Sequence, residues 1–285
     1  MANEASKIWF ITGISSGLGK ALAEAVLQQG DVLIGSFRNQ QQVDEFNART
    51  TENGLAVLLD ITQGDQINEV VHDVLSRFGR IDVLVNNAGY GLIGAVEEAT
   101  EEEIRAIFET NFFGTMALTR AFLPFFRKQK KGHIIQISSH GGVKAFAGFG
   151  LYNASKFALE GASEALAAEI APLGVALTLV EPGPFRTNFA GGSLRQTATH
   201  IADYDTTAGA FLDRMQQVNG QQEGDPAKAA NAIVKLTRID KPPLRLPLGK
   251  IALATITAKL QSMQADLDSG RAVAENAVYA PLTGC

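Results

Sequence analysis

Lys7-Ile-Trp-Phe-Ile-Thr12 runs without a break into Gly13-Ile-Ser-Ser-Gly17-Leu-Gly19, and the chain continues as Lys20-Ala-Leu-Ala-Glu-Ala-Val-Leu-Gln-Gln29. An uninterrupted apolar run, as opposed to an alternating one, reads as a strand buried on both faces, the habit of parallel sheets. The glycines then make a tight turn, and the next segment has helical character. Further apolar runs follow at Asp31–Ser36, Leu55–Leu59, Ile81–Val85, Gly132–Ser138 and Val175–Val180. Between them lie helical stretches at Gln40–Thr50, Gln63–Phe78, Thr100–Arg127 and Tyr152–Leu173. Strand and helix in strict alternation predict an α/β fold, a doubly wound, Rossmann-like parallel sheet in three α/β/α layers with right-handed crossovers.

The rhythm breaks after Pro182. Residues 184–225 are rich in Gly, Thr and Gln, a long connection of the kind that serves as a substrate lid or binding loop. A helix is predicted over Pro226–Leu236, with Asp225 as N-cap and Pro226 at the first helical position, and Lys241–Leu248 is read as an edge strand. Residues 249–285 form a C-terminal helical extension to what reads as a single domain, 1–285. In that extension Leu253, Ile256, Leu260, Met263 and Leu267 draw an apolar seam at 3–4 spacing, read as covering the chain's own sheet in preference to a partner helix.

Composition narrows the function. The 285 residues carry 25 Lys+Arg against 30 Asp+Glu, a net charge of −5, which offers no broad cationic face for a nucleic-acid backbone. The long uncharged stretch Val83–Val96 falls short of the ~20 apolar residues that span a bilayer. The polar, early-acidic start does not resemble a signal peptide, and the sole cysteine, Cys285, cannot close an internal disulfide. A cytoplasmic protein without metal, membrane span or nucleic-acid partner is the expectation. A homo-oligomer is compatible with it.

The turn Thr12-Gly-Ile-Ser-Ser-Gly-Leu-Gly19 brings backbone N–H groups and a helix N-terminus to one place, which suits a pyrophosphate. The same residues spell Gly13-x-Ser15-x-Gly17, the nucleophile elbow of serine hydrolases. The 12 residues before Gly13 leave no room for the strand that carries a hydrolase oxyanion loop, so that reading is set aside. At the end of the second strand, where an acid would grip a ribose 2′-hydroxyl, stands Ser36-Phe37-Arg38-Asn39. Arg38 suits a 2′-phosphate and points to NADP(H), or is an ordinary solvated charge. Asp60 either accepts from an adenine amino group or caps the following turn.

Tyr152-Asn-Ala-Ser-Lys156 puts a phenol and an ammonium one helical turn apart. A nearby ammonium can lower a phenol's pKa by about 1–3 units, giving an acid for carbonyl reduction and a base for alcohol oxidation. Ser139 ends the fifth strand and Asn86-Asn-Ala-Gly89 the fourth, so these motifs converge on the carboxyl rim of one sheet.

With these motifs in this order, the chain over about residues 7–190 resembles a short-chain dehydrogenase/reductase. It is similar, more loosely, to the branch with 17β-hydroxysteroid and retinol dehydrogenases, through Tyr152–Gly161 and Val180-Glu-Pro-Gly-Pro184. The resemblance implies Tyr152 as catalytic acid/base, and Lys156 as the group that holds the nicotinamide ribose and lowers the phenol's pKa. It makes Ser139 the partner of the substrate oxygen, with Ser138 also open, and Asn111 the support of a relay water. It implies cofactor contacts from Gly13, Ser15, Ser16, Gly17, Leu18, Gly19, Asp60, Ile61, Asn87, Ala88 and Gly89. Pro182, Gly183, Phe185 and Thr187 join them from the turn after the sixth strand. Ser139, His140, Phe149 and Phe189 are the expected substrate contacts, with Phe146 near them, for a bulky apolar alcohol or ketone. An NADP(H)-binding regulator without turnover is the alternative, though it would call for a damaged acid/base set.

Overall fold

A computed structural model of the chain describes residues 6–50 and 52–279. Cys285, the first five residues and the end of the C-terminal extension lie outside the described residues. Strands β1 (Ile8–Ile11), β2 (Val32–Phe37), β3 (Gly54–Leu58) and β4 (Val83–Asn86) are separated by helices α1 (Gly17–Gln28), α2 (Gln40–Arg49) and α3 (Gly64–Phe78). A short strand β5 (Gly91–Ile93) precedes α4 (Glu101–Phe108) and α5 (Thr115–Gln129). Then come β6 (Gly132–Ile137), α6 (Gly150–Ile170), β7 (Val175–Pro182), α7 (Phe189–Gly192), β8 (Leu194–Gln196), α8 (Ala210–Gln217), α9 (Pro226–Leu236), β9 (Arg245–Leu248) and α10 (Lys250–Asn276).

Seven strands form one parallel, Rossmann-like sheet in the order β3-β2-β1-β4-β6-β7-β9, so the direction of winding reverses between β1 and β4. Successive residues of each strand feed opposite layers. Ile8 and Phe10 of β1 pack with Ile67, Val71, Phe122, Phe126 and Leu166 of α3, α5 and α6. Trp9 and Ile11 pack with Leu22, Val26, Val43, Ile233 and Val234 of α1, α2 and α9. Both faces are therefore covered, which is why the strands read as continuous apolar runs. Asp31 fixes one corner: buried at the start of β2, it accepts from the Trp9 indole at 3.0 Å and pairs with Arg238 at 2.9 Å.

Three differences from the sequence reading matter. The single helix expected over 100–127 is broken by a π-helical turn, Glu109–Gly114, where Gly114 packs directly on the Ile61 carbonyl and Asn111 is fully buried. Residues 184–225 are more ordered than a plain loop. They contain α7, α8 and β8, and β8 pairs in parallel with β5 to make a second, two-stranded sheet. The apolar seam of the tail does not cover the sheet: within α10 only Ala252 is buried. Among the described residues no helix is long and apolar enough to cross a membrane.

Candidate active site

The carboxyl ends of β1 and β4 are stapled together at the point where the winding reverses. The Thr12 hydroxyl accepts from the backbone N–H of both Asn87 and Ala88 at 2.9 Å, and the Asn87 carboxamide donates to the carbonyls of Thr12 and Gly13 at 2.8 and 3.0 Å. Gly13 and Gly17 have φ of +69° and +60°, and a side chain on Gly19 would collide with the Asn87 carboxamide and the Gly13 carbonyl. Ser15 and Ser16 are exposed in this loop, followed by half-buried Leu18, and no side chain caps the first turn of α1. The N–H groups there face outward, as an anion site requires. Among the described residues Ser15 has no hydrogen-bonded histidine, so the hydrolase constellation is not assembled around it.

Arg38 lies exposed at the end of β2, with no ion pair among the described residues. Asp60 caps its own turn, one carboxylate oxygen accepting from the Thr62 backbone and hydroxyl at 2.9 and 2.8 Å. Gly89 is held where a Cβ would come within 2.9 Å of the Asn111 Oδ1 and 3.6 Å of the Lys156 Nζ. The Asn87–Gly89 loop thus lies close against Asn111 and Lys156.

Tyr152 and Lys156 lie one turn apart on α6, both buried. The Ser139 hydroxyl, at the end of β6, lies beside the phenol, where it counters the rise in the phenol's pKa, and accepts from the Gly141 N–H at 2.9 Å. Ser138 faces the other way, toward Glu160, which separates the two serines the sequence left open. Lys156 donates to the Ile137 carbonyl at 2.8 Å. Asn111, set by the π-turn, donates to the Tyr90 carbonyl at 2.9 Å and to the Ser155 hydroxyl at 3.1 Å, and accepts from the Tyr90 N–H. Ser155, inside the Tyr-xxx-Lys spacing, was not singled out from sequence; it ties Asn111 to the helix that carries the phenol.

The electrostatics differ from expectation in one respect. Burial pushes the Tyr152 phenol up to about 12, and the group opposing that rise is Ser139, not Lys156. Burial pushes Lys156 itself down to about 8, against the pull of Glu160. With water excluded, desolvation dominates for each group.

Aromatic rings wall the phenol. Phe149 stacks on Tyr152 with centroids 4.2 Å apart, and Phe189 of α7 approaches to 6.0 Å. His140, held neutral by burial that pushes its pKa down to about 4, lies tilted against Phe146 with centroids 5.2 Å apart, and Phe146 stacks on Phe211 of α8. Phe211 lies in the segment read as an unpatterned loop and was missed. Phe185 goes elsewhere: its ring fills the space over Gly224 and Gly249, while Thr187 comes to rest against Gly17. Gly183, after Pro182, donates to the Leu248 carbonyl at 2.9 Å, which fixes this turn beside the glycine loop.

The 184–225 segment is clamped by acids of the 97–103 stretch. Glu98 accepts from the N–H of Ile201 at 2.8 Å and of Ala95, and both bonds hold its carboxyl below the usual range. Glu103 accepts from the Ala198 N–H at 3.0 Å. Because the folded pKa of Glu98 is depressed, the clamp holds at neutral pH and weakens as pH falls through that lowered value. Glu98→Ala is expected to speed limited proteolysis within residues 197–204 roughly tenfold, the equivalent of losing a charge-assisted hydrogen bond. An unchanged cleavage rate would show that the carboxylate does not hold the segment.

The family model for short chain dehydrogenases matches residues 7–198. The chain belongs to that family. A solved short-chain dehydrogenase from Streptomyces avermitilis is similar over 96% of this chain and 99% of its own, with 44% identity and a TM-score of 0.90. A 3-ketodihydrosphingosine reductase from Bacteroides thetaiotaomicron is 36% identical over 91% of this chain and 94% of its own length. ElxO, solved with NADP bound, is 26% identical over 87% of this chain and 99% of its own, with a TM-score of 0.72.

In this short-chain dehydrogenase the helix that carries Tyr152 and Lys156 is anchored from behind. Arg245 of β9 pairs with Glu160 and Glu164 of α6 and, at 2.9 Å, with Glu181 of β7. Burial drives Glu160 up to about 7, with Ser138 and Arg245 pulling the other way, and raises Glu181 as well. Glu160 sits one turn beyond Lys156, so this cluster backs onto Tyr152 and Lys156.

Proposed function

We propose that this dehydrogenase uses NADP(H) and acts on a bulky apolar ketone or the matching secondary alcohol. The observation that carries the proposal is the gathering of Ser139, buried Tyr152 and buried Lys156 at the carboxyl rim, beneath an aromatic wall. The cofactor fits the residues present. The uncapped first turn of α1 with Ser15, Ser16 and Gly17 would hold the pyrophosphate, and Arg38 the 2′-phosphate. Asp60, Ile61 and the Asn87–Gly89 loop would line the adenosine side. Pro182, Gly183 and Thr187 would lie along the nicotinamide, whose ribose Lys156 would hold. When bound, the nicotinamide exchanges the hydride with the substrate carbon.

The chain's own residues manage the oxygen and the proton. In reduction Ser139 donates to the carbonyl oxygen, and Tyr152 gives its proton to that oxygen as charge develops there; oxidation runs the same transfer backward. A phenol pushed up to about 12 is protonated at neutral pH, which suits the acid role and thus reduction. Lys156 and the relay water assigned to Asn111 return the proton. His140, Phe149 and Phe189, with Phe146 and Phe211, form the substrate wall, and 184–225 is its lid. The similarity to a 3-ketodihydrosphingosine reductase supports a ketone substrate here.

NADPH consumption against ketones of increasing apolar bulk tests the substrate class. kcat/KM should climb with chain length, whereas a preference for small polar ketones would overturn it. Running NADH in parallel tests the cofactor. Arg38→Asp should shift the preference from NADPH toward NADH by at least tenfold, since a planar cation is replaced by a repelling anion. An unchanged ratio would remove Arg38 from the 2′-phosphate.

A further inference from the structure

Beyond its second turn, where Ile256 is still half-buried, α10 is mostly exposed. Leu253, Leu260 and Leu267 are 61%, 58% and 65% exposed, and with Ile256 and Met263 they make one stripe along the helix. Their spacing alternates three and four, the seam of a two-helix coil rather than the wider face that packs on a sheet. We infer that this stripe is the contact surface for α10 of a second copy of the chain, packed antiparallel.

The charges flanking the stripe select that occupant. Lys259 lies beside the stripe one residue before Leu260, and Asp266 beside it one residue before Leu267. In an antiparallel pair with Leu260 opposite Met263 of the second copy, Lys259 falls opposite Asp266 of that copy, and the symmetry makes the contact twice. The other charges of the C-terminal half are used up within the helix: Arg271 pairs with Asp268 at 3.0 Å and with Glu275 at 3.8 Å. Lys259 and Asp266 make no ion pair with any described residue. Gly270 ends the stripe opposite Leu253 of the second copy, where a bulky residue needs a small one. A lipid surface is the poorer fit. Such helices carry an excess of Lys and Arg on the polar face, whereas α10 balances Lys250, Lys259 and Arg271 against Asp266, Asp268 and Glu275.

The test is the mass of the full-length protein in solution, by sedimentation or light scattering across concentration. The double variant Leu260→Glu/Met263→Glu should halve the assembled mass while leaving circular dichroism and melting unchanged. Lys259→Glu and Asp266→Lys should each weaken association roughly tenfold, because each sets like charges face to face twice. Mixed together, the two single variants should re-associate, since each supplies the charge the other lacks; a parallel pair makes no such prediction. An assembled mass indifferent to the Leu260→Glu/Met263→Glu change overturns the inference. So does failure of the mixture to recover, or co-sedimentation of the wild type with anionic phospholipid vesicles that is lost in the double variant.

Discussion

Tyr152→Phe should bind NADPH almost as the wild type does and turn over at least about a hundredfold more slowly. The substitution removes one oxygen from a ring that keeps all its packing: Phe149 at 4.2 Å and Phe189 at 6.0 Å still enclose it, so no cavity opens and no helix shifts. What is lost is the proton donor that the proposed mechanism places beside Ser139. Ser139 remains to polarise the carbonyl, so residual activity is expected, not none. Cofactor binding followed by nicotinamide fluorescence, with single-turnover rates alongside, separates the two effects. Near-wild-type turnover would remove the phenol from the chemistry, and lost cofactor binding would make its role structural.

Arg245→Met should lower stability by about 3 kcal/mol, the lower end for breaking a buried ion pair, because part of the Arg245 side chain still meets solvent. For a chain of 285 residues that is a fall in Tm of roughly 5 °C. The cost arises from the carboxylates left behind: Glu160 and Glu181 stay buried, 5% and 1% exposed, without their cation. The pH dependence fixes the cause. Glu160 titrates in the folded chain near 7 instead of 4.5, so the folded state holds its proton more tightly than the unfolded one. Between those values its contribution to stability grows as pH falls. The gap between variant and wild type should accordingly narrow from pH 8 to pH 6; a gap constant with pH would mean that lost packing, not orphaned charge, is the cause.

Most of the sheet and its helices could be read from the residues because each strand is buried on both faces and each crossover helix has its own period. The helix Pro226–Leu236 was legible to the residue, since Asp225 accepts from the N–H groups of Ala227 and Lys228 and Pro226 fits only a first turn. The proposed acid/base set could be placed for a related reason, as Ser139, Tyr152 and Lys156 lie on or beside regular elements. What stayed hidden depends on long-range pairing. β5 and β8 are three residues each, too short for a pattern, and they find each other across a hundred residues of chain. The π-turn has no signal in 100–127, because it forms only when Gly114 meets the Ile61 carbonyl. Arg245 gathers acids from two other elements, 64 to 85 residues away. The tail was read with the right period and the wrong partner, since a seam of this kind specifies a helix surface and not what covers it.

The last strand of the sheet carries one more consequence. Leu244 and Leu248 turn their carbonyls toward β7, accepting from Leu179 and Gly183, so Arg245 and Pro247 present their backbone to open water on the opposite side. Proline has no amide hydrogen to offer there, and the neighbouring arginine is drawn back into its own cluster of acids. A stray extended peptide arriving at this border finds too few donors to zip onto, which guards the molecule against growing ribbon-wise into aggregates.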